Sequence, residues 1–415
     1  MTVIQRGIAC MVSEAVEKSG LQKNYIANIL NIPPAQLSRN LSGSRPFDLK
    51  ALDSLNELLG LPQGSFYDAY LVDCWNAPRN RGSRIQKLIA HSISNGLPEY
   101  AEKMITLLLD GGKELCDLYA SALTLETKGY VTEALNLYDT VIKNERNRLA
   151  ECLALSYYRR FMIVRNWDMD HAFEAATKLG EHITMLPGRH LYEAYIKILT
   201  VFYVLDKWDH LLKYCEEVSD VMEGAKQYDI KLYAQCLSYL GISYRHKGKF
   251  EQAMEAVHRY ASLGDERFIR WGHLNACVVL IEAGQEKKVY ELIDLMKKYK
   301  DDAPNHLEHV LNYFLSKNEF EEMEDVLETF TAELQVLMSN KDPLGIKRRI
   351  IVNCLIAELH IHRNKISKAV PLLMEALEIG KELKLTNQVN NCIRILMRIS
   401  SQISDEDMAT ICLTI

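Results

Sequence analysis

Two groups of polar side chains in this sequence stand at spacings that can do chemistry. The first is short and local. Gln36, Ser38, Arg39 and Asn40 surround Leu37 and precede Leu41, and Ser42 and Arg45 follow at once. On a helix, two leucines four apart share one face and turn the polar residues the other way. Gln and Arg so presented make paired hydrogen bonds to purine edges, while Ser and Asn bond phosphate oxygens. The candidate nucleic-acid contacts are Lys23, Asn24, Ala35, Gln36, Ser38, Arg39, Asn40, Ser42 and Arg45. The second group is dispersed: Tyr203, Gln235, Tyr239, Arg245, His246, Arg267, Arg270, Asn275, Glu308 and Asn312. Asn and Gln donate and accept together, which suits the peptide groups of an extended chain. Arg meets a carboxylate with two prongs, and Tyr offers flat area at low entropy cost. A short extended peptide is the ligand these residue types fit, although each one alone also reads as a solvated polar group.

The first group needs four helices to hold it. Ile4, Ile8, Met11, Val12, Ala15 and Val16 have helical spacing over 4–18, and a second helix fits 22–30. Asn31 tolerates the left-handed backbone that ends a helix tightly. Pro34 suits the first position of the next helix, where its missing N–H costs nothing. A third helix over 35–41, a loop over 42–46 and a fourth helix over 48–59 complete a helix-turn-helix plan. Residues 1–50 carry a net charge of +3 against −6 for the chain. A four-helix structural cap is the alternative reading. Arg79, Arg81, Arg84 and Lys87 follow with no acid between Asn76 and Pro98, and read either as a solvated linker or as added phosphate contact.

The second group needs a repeat. Leu237, Leu240, Gly241, Tyr244, Gly248, Phe250 and Ala253 have the spacing of a tetratricopeptide hairpin. Weaker copies place a small or apolar residue at Ala101, Ala134, Ala172, Leu211, Ala253, Val289, Met323 and Ala369. Turns are expected at Gly96, Gly129, Asp206, Gly248, Gly284, Asn318 and Asn364. Stacked hairpins bury a continuous core. The predicted fold is therefore all-α: a helix-turn-helix domain followed by a right-handed α-solenoid of about eight tetratricopeptide-like hairpins. The expected boundaries are 1–65 for the helix-turn-helix, 66–90 for a connecting helix and basic linker, 91–380 for the repeats, and 381–415 for a capping or dimerisation segment. Leu396, Ile403, Met408, Ile411 and Leu413 leave the last segment apolar on more than one side, which predicts a homodimer contact or a cap folded onto its own repeats.

Composition narrows the alternatives. With 49 Lys plus Arg against 55 Asp plus Glu, a chain-wide basic coat is excluded. Twenty glycines and ten prolines in 415 residues are too few for a turn-rich β or doubly wound enzyme. No run of apolar residues is long enough to span a membrane, and the first twenty residues lack a signal-peptide pattern. The ten cysteines form no C-x-x-C and read as reduced thiols of a cytoplasmic protein. There is no phosphate loop, no H-E-x-x-H and no nucleophile elbow, so neither an enzyme, a metal site nor a cofactor is expected.

The segments 21–27, 31–39 and 41–43 with Pro46 resemble the repressor-type helix-turn-helix of phage regulators. Asn31 stands where that family usually has glycine, and Lys23 where it usually has glutamine. A repressor-type head joined to such repeats resembles the peptide-pheromone receptors of Gram-positive bacteria and of their phages and plasmids. Within them, the run 66–76, the basic stretch and Gly129-Tyr130 look most like the arbitrium receptors of temperate phages. The resemblance implies a cytoplasmic dimer that binds promoter DNA and alters that binding when a short secreted peptide enters the repeats. It also implies peptide contact near Arg267-Phe268 and dimer contact in the C-terminal repeats. The residues alone leave open a regulator that holds a protein partner, or a plain repeat scaffold.

Overall fold

The computed structural model describes residues 7–77, 81–111, 115–223 and 229–403, apart from the Arg189 side chain. Every regular element among them is a helix, and the chain divides into two compact units, Met1–Arg160 and Phe161–Ile415.

The N-terminal unit begins with helices Ile8–Ser19, Lys23–Ile29, Pro34–Leu41 and Leu49–Leu58. Asn31 takes a φ of 51°, and the next N–H, that of Ile32, donates back to Ala27 at 3.0 Å, which closes the second helix. Pro34 opens the third helix. Ile26, Ala27, Leu37 and Leu41 are buried. The stretch expected as a linker is instead packed: helices Tyr67–Trp75 and Arg81–Ser94 bury Tyr67, Tyr70, Cys74, Ile85 and Leu88. Two of its basic residues are engaged by the chain, while Lys87 is exposed. Arg81 lies 3.9 Å over the Trp75 ring, and Arg84 lies over Tyr70 and 3.6 Å from Asp73. Arg79 falls outside the described residues. The boundary between the units falls inside the helix Glu151–Val164, so the helix-turn-helix and the first hairpins belong to one compact body.

The hairpins follow the expected period. Ala101, Ala134, Ala172, Leu211, Ala253, Val289, Met323 and Ala369 each sit near the start of a helix, and each is at most 2% exposed. The seven expected turn residues all have positive φ, from 56° at Asp206 to 93° at Gly284. Asp, Asn and Gly tolerate that region, so each turn ends its helix in the same way. Where helices approach most closely the residue must be small. A Cβ on Gly272 would stand 2.6 Å from that of Ala261. The longest interval, between Met323 and Ala369, accommodates an extra helix, Thr331–Ser339.

The C-terminal unit closes on itself. The helix Pro343–His362 reaches back to the turn after the helix Gly188–Val204: Lys347 donates to the Tyr203 carbonyl at 2.7 Å and to Asp206 at 2.5 Å. Asn387 and Gln388 donate to the same carboxylate at 3.2 and 3.1 Å. Met169 N–H donates to the Leu383 carbonyl at 3.1 Å, and Lys384 pairs with Asp168 at 3.2 Å. A simple open stack does not bring its first and last hairpins together, so this unit's groove has a second wall.

The last described α-helix, Thr386–Arg398, buries Gln388, Cys392, Ile395 and Leu396 in its own unit. Leu396, expected as a dimer contact, is 2% exposed and is therefore corrected to a core residue, while its neighbour Met397 is 69% exposed. Helical spacing alone could not tell which of the two faces outward. Ile403 is half-buried, and Met408, Ile411 and Leu413 lie outside the described residues.

Candidate functional site

The helix-turn-helix of the N-terminal unit presents a polar surface. Lys23, Asn24, Ala35, Ser38, Arg39, Ser42 and Arg45 are exposed and Gln36 is half-buried. Several of these side chains are braced on the backbone. Ser38 donates to the Pro34 carbonyl, Arg39 Nε to that of Ala35, and Ser42 and Ser44 both donate to that of Arg39, at 3.1–3.2 Å. Asn40 is different. It is 4% exposed, and its amide donates to the carbonyls of Arg45 and Pro46 at 3.2 and 2.7 Å. It fixes the loop and is corrected from a candidate phosphate contact to a structural residue. Tyr25 and Ile29, each 50% exposed, form the apolar part of the same surface.

The larger site lies within the C-terminal unit. Its carrying helices start firmly. Asp229, Asp265 and Asp342 accept backbone N–H bonds at the starts of Ile230–His246, Glu266–Glu282 and Pro343–His362. Residues one helical turn apart then line up. Ile196, Thr200 and Tyr203 come from the Gly188–Val204 helix, and Gln235, Ser238, Tyr239, Ile242 and Arg245 from the next first helix. Trp271, Asn275, the His306 turn, His309, Leu344 and Arg348 complete a cleft of about 330 Å³.

The lining is positive. Lys197, Arg245 and Arg348 contribute, and no carboxylate lines the cleft. Burial pushes the pKa of His306 down to about 3 and that of His309 well below its ordinary value, so both imidazoles are neutral at pH 7. Burial also lowers the Lys197 pKa and raises that of Tyr239 to about 12. Thr200 and Tyr239 share a hydrogen bond at 3.0 Å, and Tyr239 lies 5.8 Å from the Tyr203 ring. Arg348 donates to Asn305, and Arg245 pairs with Glu282 at 3.3 Å. Three lining nitrogens, Arg245 Nε, Arg348 Nε and His306 Nδ1, are buried with no hydrogen-bond partner among the described residues. Buried guanidinium N–H groups left unpaired are costly, and a ligand bearing acceptors relieves that cost, while His306 Nδ1 donates or accepts according to its tautomer.

A second cleft of about 290 Å³ shares His309 with the first and is lined by Glu282, Glu286, Asn312, Tyr313 and Lys317 among others. Lys317 pairs with Glu286 at 2.5 Å. The first cleft and its neighbour thus differ in charge.

Five of the ten residues proposed from sequence line the first cleft: Tyr203, Gln235, Tyr239, Arg245 and Asn275. Asn312 lines the second. The remaining four line neither. His246 stacks on Trp208 with ring centroids 3.8 Å apart. Arg270 is bound to Asp302 at 3.1 Å, and Arg267 lies over the Phe268 and Trp271 rings. Glu308 lies 3.4 Å from His309. Sequence reasoning missed Lys197, Thr200, Trp271, Asn305, His306, His309 and Arg348. Thr200 and Lys197 were findable one and two turns before Tyr203. Arg348 was not, because it depends on closure of the unit. Among the described residues no cluster suited to hold a metal ion is present, and no helix is long and apolar enough to cross a membrane.

No protein-family model matches the chain, and no curated protein matches it. Among solved structures it is similar to a Rap protein complexed with competence and sporulation factor, at 13% identity over 81% of this chain and 98% of that one, with a TM-score of 0.39. It is also similar to PlcR of Bacillus thuringiensis in complex with the peptide PapR7 and DNA, at 11% identity over 78% of this chain and 98% of that one, with a TM-score of 0.26. Both likenesses are distant.

Proposed function

We propose that this chain is a DNA-binding transcriptional regulator whose operator binding is controlled by a short signalling peptide held in the C-terminal unit. The observation that carries the reading is the cleft: among the described residues it has three cations, no lining carboxylate, and three buried nitrogens without a partner. Such a lining is complementary to a carboxylate and to peptide carbonyls, with Gln235 and Asn275 able to bond further peptide groups. The peptide's carboxylate end lies against Arg348 and Arg245. The exposed Arg39, with Gln36, Ser38, Lys23 and Arg45, supplies the contacts to bases and phosphates.

The modest charge of the head supports a homodimer on two half-sites, with a contact in the C-terminal segment around Met397 and Ile403. The proposed setting is a cytoplasmic, arbitrium-like or quorum-sensing receptor. A peptide that alters the closure of the C-terminal unit alters the separation of the two heads, and half-sites demand a fixed separation.

The test is selection of duplexes from a randomised pool by the purified chain at low salt, then titration of salt. The reading requires enrichment and a steep fall in affinity as salt rises. The half-exposed Tyr25 and Ile29 favour a second reading, a head that docks on a protein partner. Enrichment of no duplex selects that reading.

A further inference from the structure

Nine of the ten cysteines lie among the described residues, and two pairs of them bring sulfur against sulfur. Cys116 is the first residue of the helix Cys116–Thr127 and is exposed. Cys152 is the second residue of the helix Glu151–Val164, is 3% exposed, and packs with Ala150 and Leu153 against Tyr119, Ile142 and Tyr157. Their sulfurs are 2.7 Å apart. Cys354 and Cys392 also face each other, at 3.4 Å, but both are buried. The two pairs share an arrangement and differ in access.

We propose that Cys116 and Cys152 form a peroxide-responsive dithiol, with Cys116 the attacked thiol and Cys152 the resolving one. The exposure of Cys116 admits a small hydroperoxide to its sulfur, and the thiolate is the form that reacts. The thiolate sulfur attacks the nearer peroxide oxygen and the O–O bond breaks. The sulfur becomes a sulfenic acid, and the leaving oxygen takes a proton as water or an alcohol. The Cys152 sulfur then attacks the sulfenic sulfur, the S–O bond breaks, and the hydroxyl leaves as water with the Cys152 proton. In total two thiols lose two electrons and the hydroperoxide gains them. The new bond joins residues 36 apart and encloses the whole Cys116–Thr127 and Val131–Asn144 hairpin. A bond over such a span restricts the unfolded chain and raises the melting temperature of its unit. This site is independent of the peptide cleft, which lies in the other unit.

The experiment uses the full reduced chain, stoichiometric hydrogen peroxide, alkylation of remaining thiols, and peptide mapping by mass spectrometry. The expected product is a dithiothreitol-reversible Cys116–Cys152 peptide, lighter by about 2 Da than the two reduced peptides, while Cys354 and Cys392 alkylate after unfolding. In Cys152→Ser, a dimedone adduct is expected to accumulate at Cys116, and in Cys116→Ser none is expected at Cys152. Oxidation of Cys116 to sulfinic acid with Cys152 still alkylated overturns the proposal. So does linkage of Cys354 to Cys392 at the same peroxide dose. The dimedone readout in Cys152→Ser stands even where the disulfide alters folding.

Discussion

The head and the cleft use the same residue types in opposite ways. In the head, Arg39 and its polar neighbours are exposed and braced on their own helix by backbone carbonyls. In the cleft, Arg245 is 7% exposed, and its Nε and that of Arg348 have no partner among the described residues. An exposed guanidinium is kept hydrated until DNA arrives, so its contribution is modest and salt-dependent. A buried one has already lost water, so a ligand that meets it gains a strong charge-assisted bond. Under the proposed function, the exposed head suits reversible recognition of a long polyanion, and the buried cleft suits a single small partner.

The largest effect that sharpens this contrast is expected from Arg348→Met. Removing one member of a buried charged contact costs about 2–5 kcal/mol, so affinity for a cleft-binding peptide should fall roughly 30-fold or more. The ligand-free variant should melt only slightly lower than the wild type, because the bond to Asn305 is lost but so is an unpaired buried nitrogen. Calorimetric titration and a melting curve read both. A clear drop in melting temperature instead marks Arg348 as structural.

Acidification should separate the two regions next. Burial depresses the His306 pKa to about 3 and also lowers that of His309, whereas residues 1–65 contain no histidine. The folded state holds these imidazoles neutral while the unfolded chain takes up protons below its ordinary pKa of about 6.5, so stability is lost as pH falls through that value and rises again with pH. At pH 5 the loss is roughly 2 kcal/mol for His306 alone. Denaturant unfolding between pH 7 and pH 5 should therefore weaken the C-terminal unit first, and less steeply in His306→Asn. An unchanged slope in that variant contradicts the assignment.

Arg39→Ala should weaken operator binding by about 1–3 kcal/mol and leave peptide binding intact. If both affinities fall together, the division of labour between head and cleft is wrong. The smallest effect is expected from Asn40→Ala. It leaves two backbone carbonyls without their donor and should destabilise the head by about 1–2 kcal/mol, without the base-specific loss seen at Arg39. Melting combined with a mismatch series of duplexes distinguishes the two.

Local physics made the head and the repeat legible. Asn31 and Pro34 mark their turn through backbone preference alone, and Asp206, Asn318 and Asn364 mark turns for the same reason. Ala253 and its counterparts announce close helix approach because only small or apolar side chains fit there. What sequence could not reveal depends on distant packing. Asn40 and Arg39 are adjacent and both polar, yet one faces Pro46 and the other solvent. Arg348 lines the cleft beside Lys347, the preceding residue, which is fixed on Asp206. That contact links residues 141 apart, and no periodic pattern carries it.

The most direct test joins the two regions. Operator affinity should be measured in the wild type and in Arg348→Met, with and without a peptide recovered from a randomised hexapeptide library on the wild-type chain. Coupling of about 1–3 kcal/mol corresponds to a change in operator affinity of about 5- to 150-fold. The expected result is a change of that size in the wild type and none in the variant at the same peptide concentration. An operator affinity that ignores the peptide in the wild type, or shifts equally in both proteins, contradicts control of the head through the cleft.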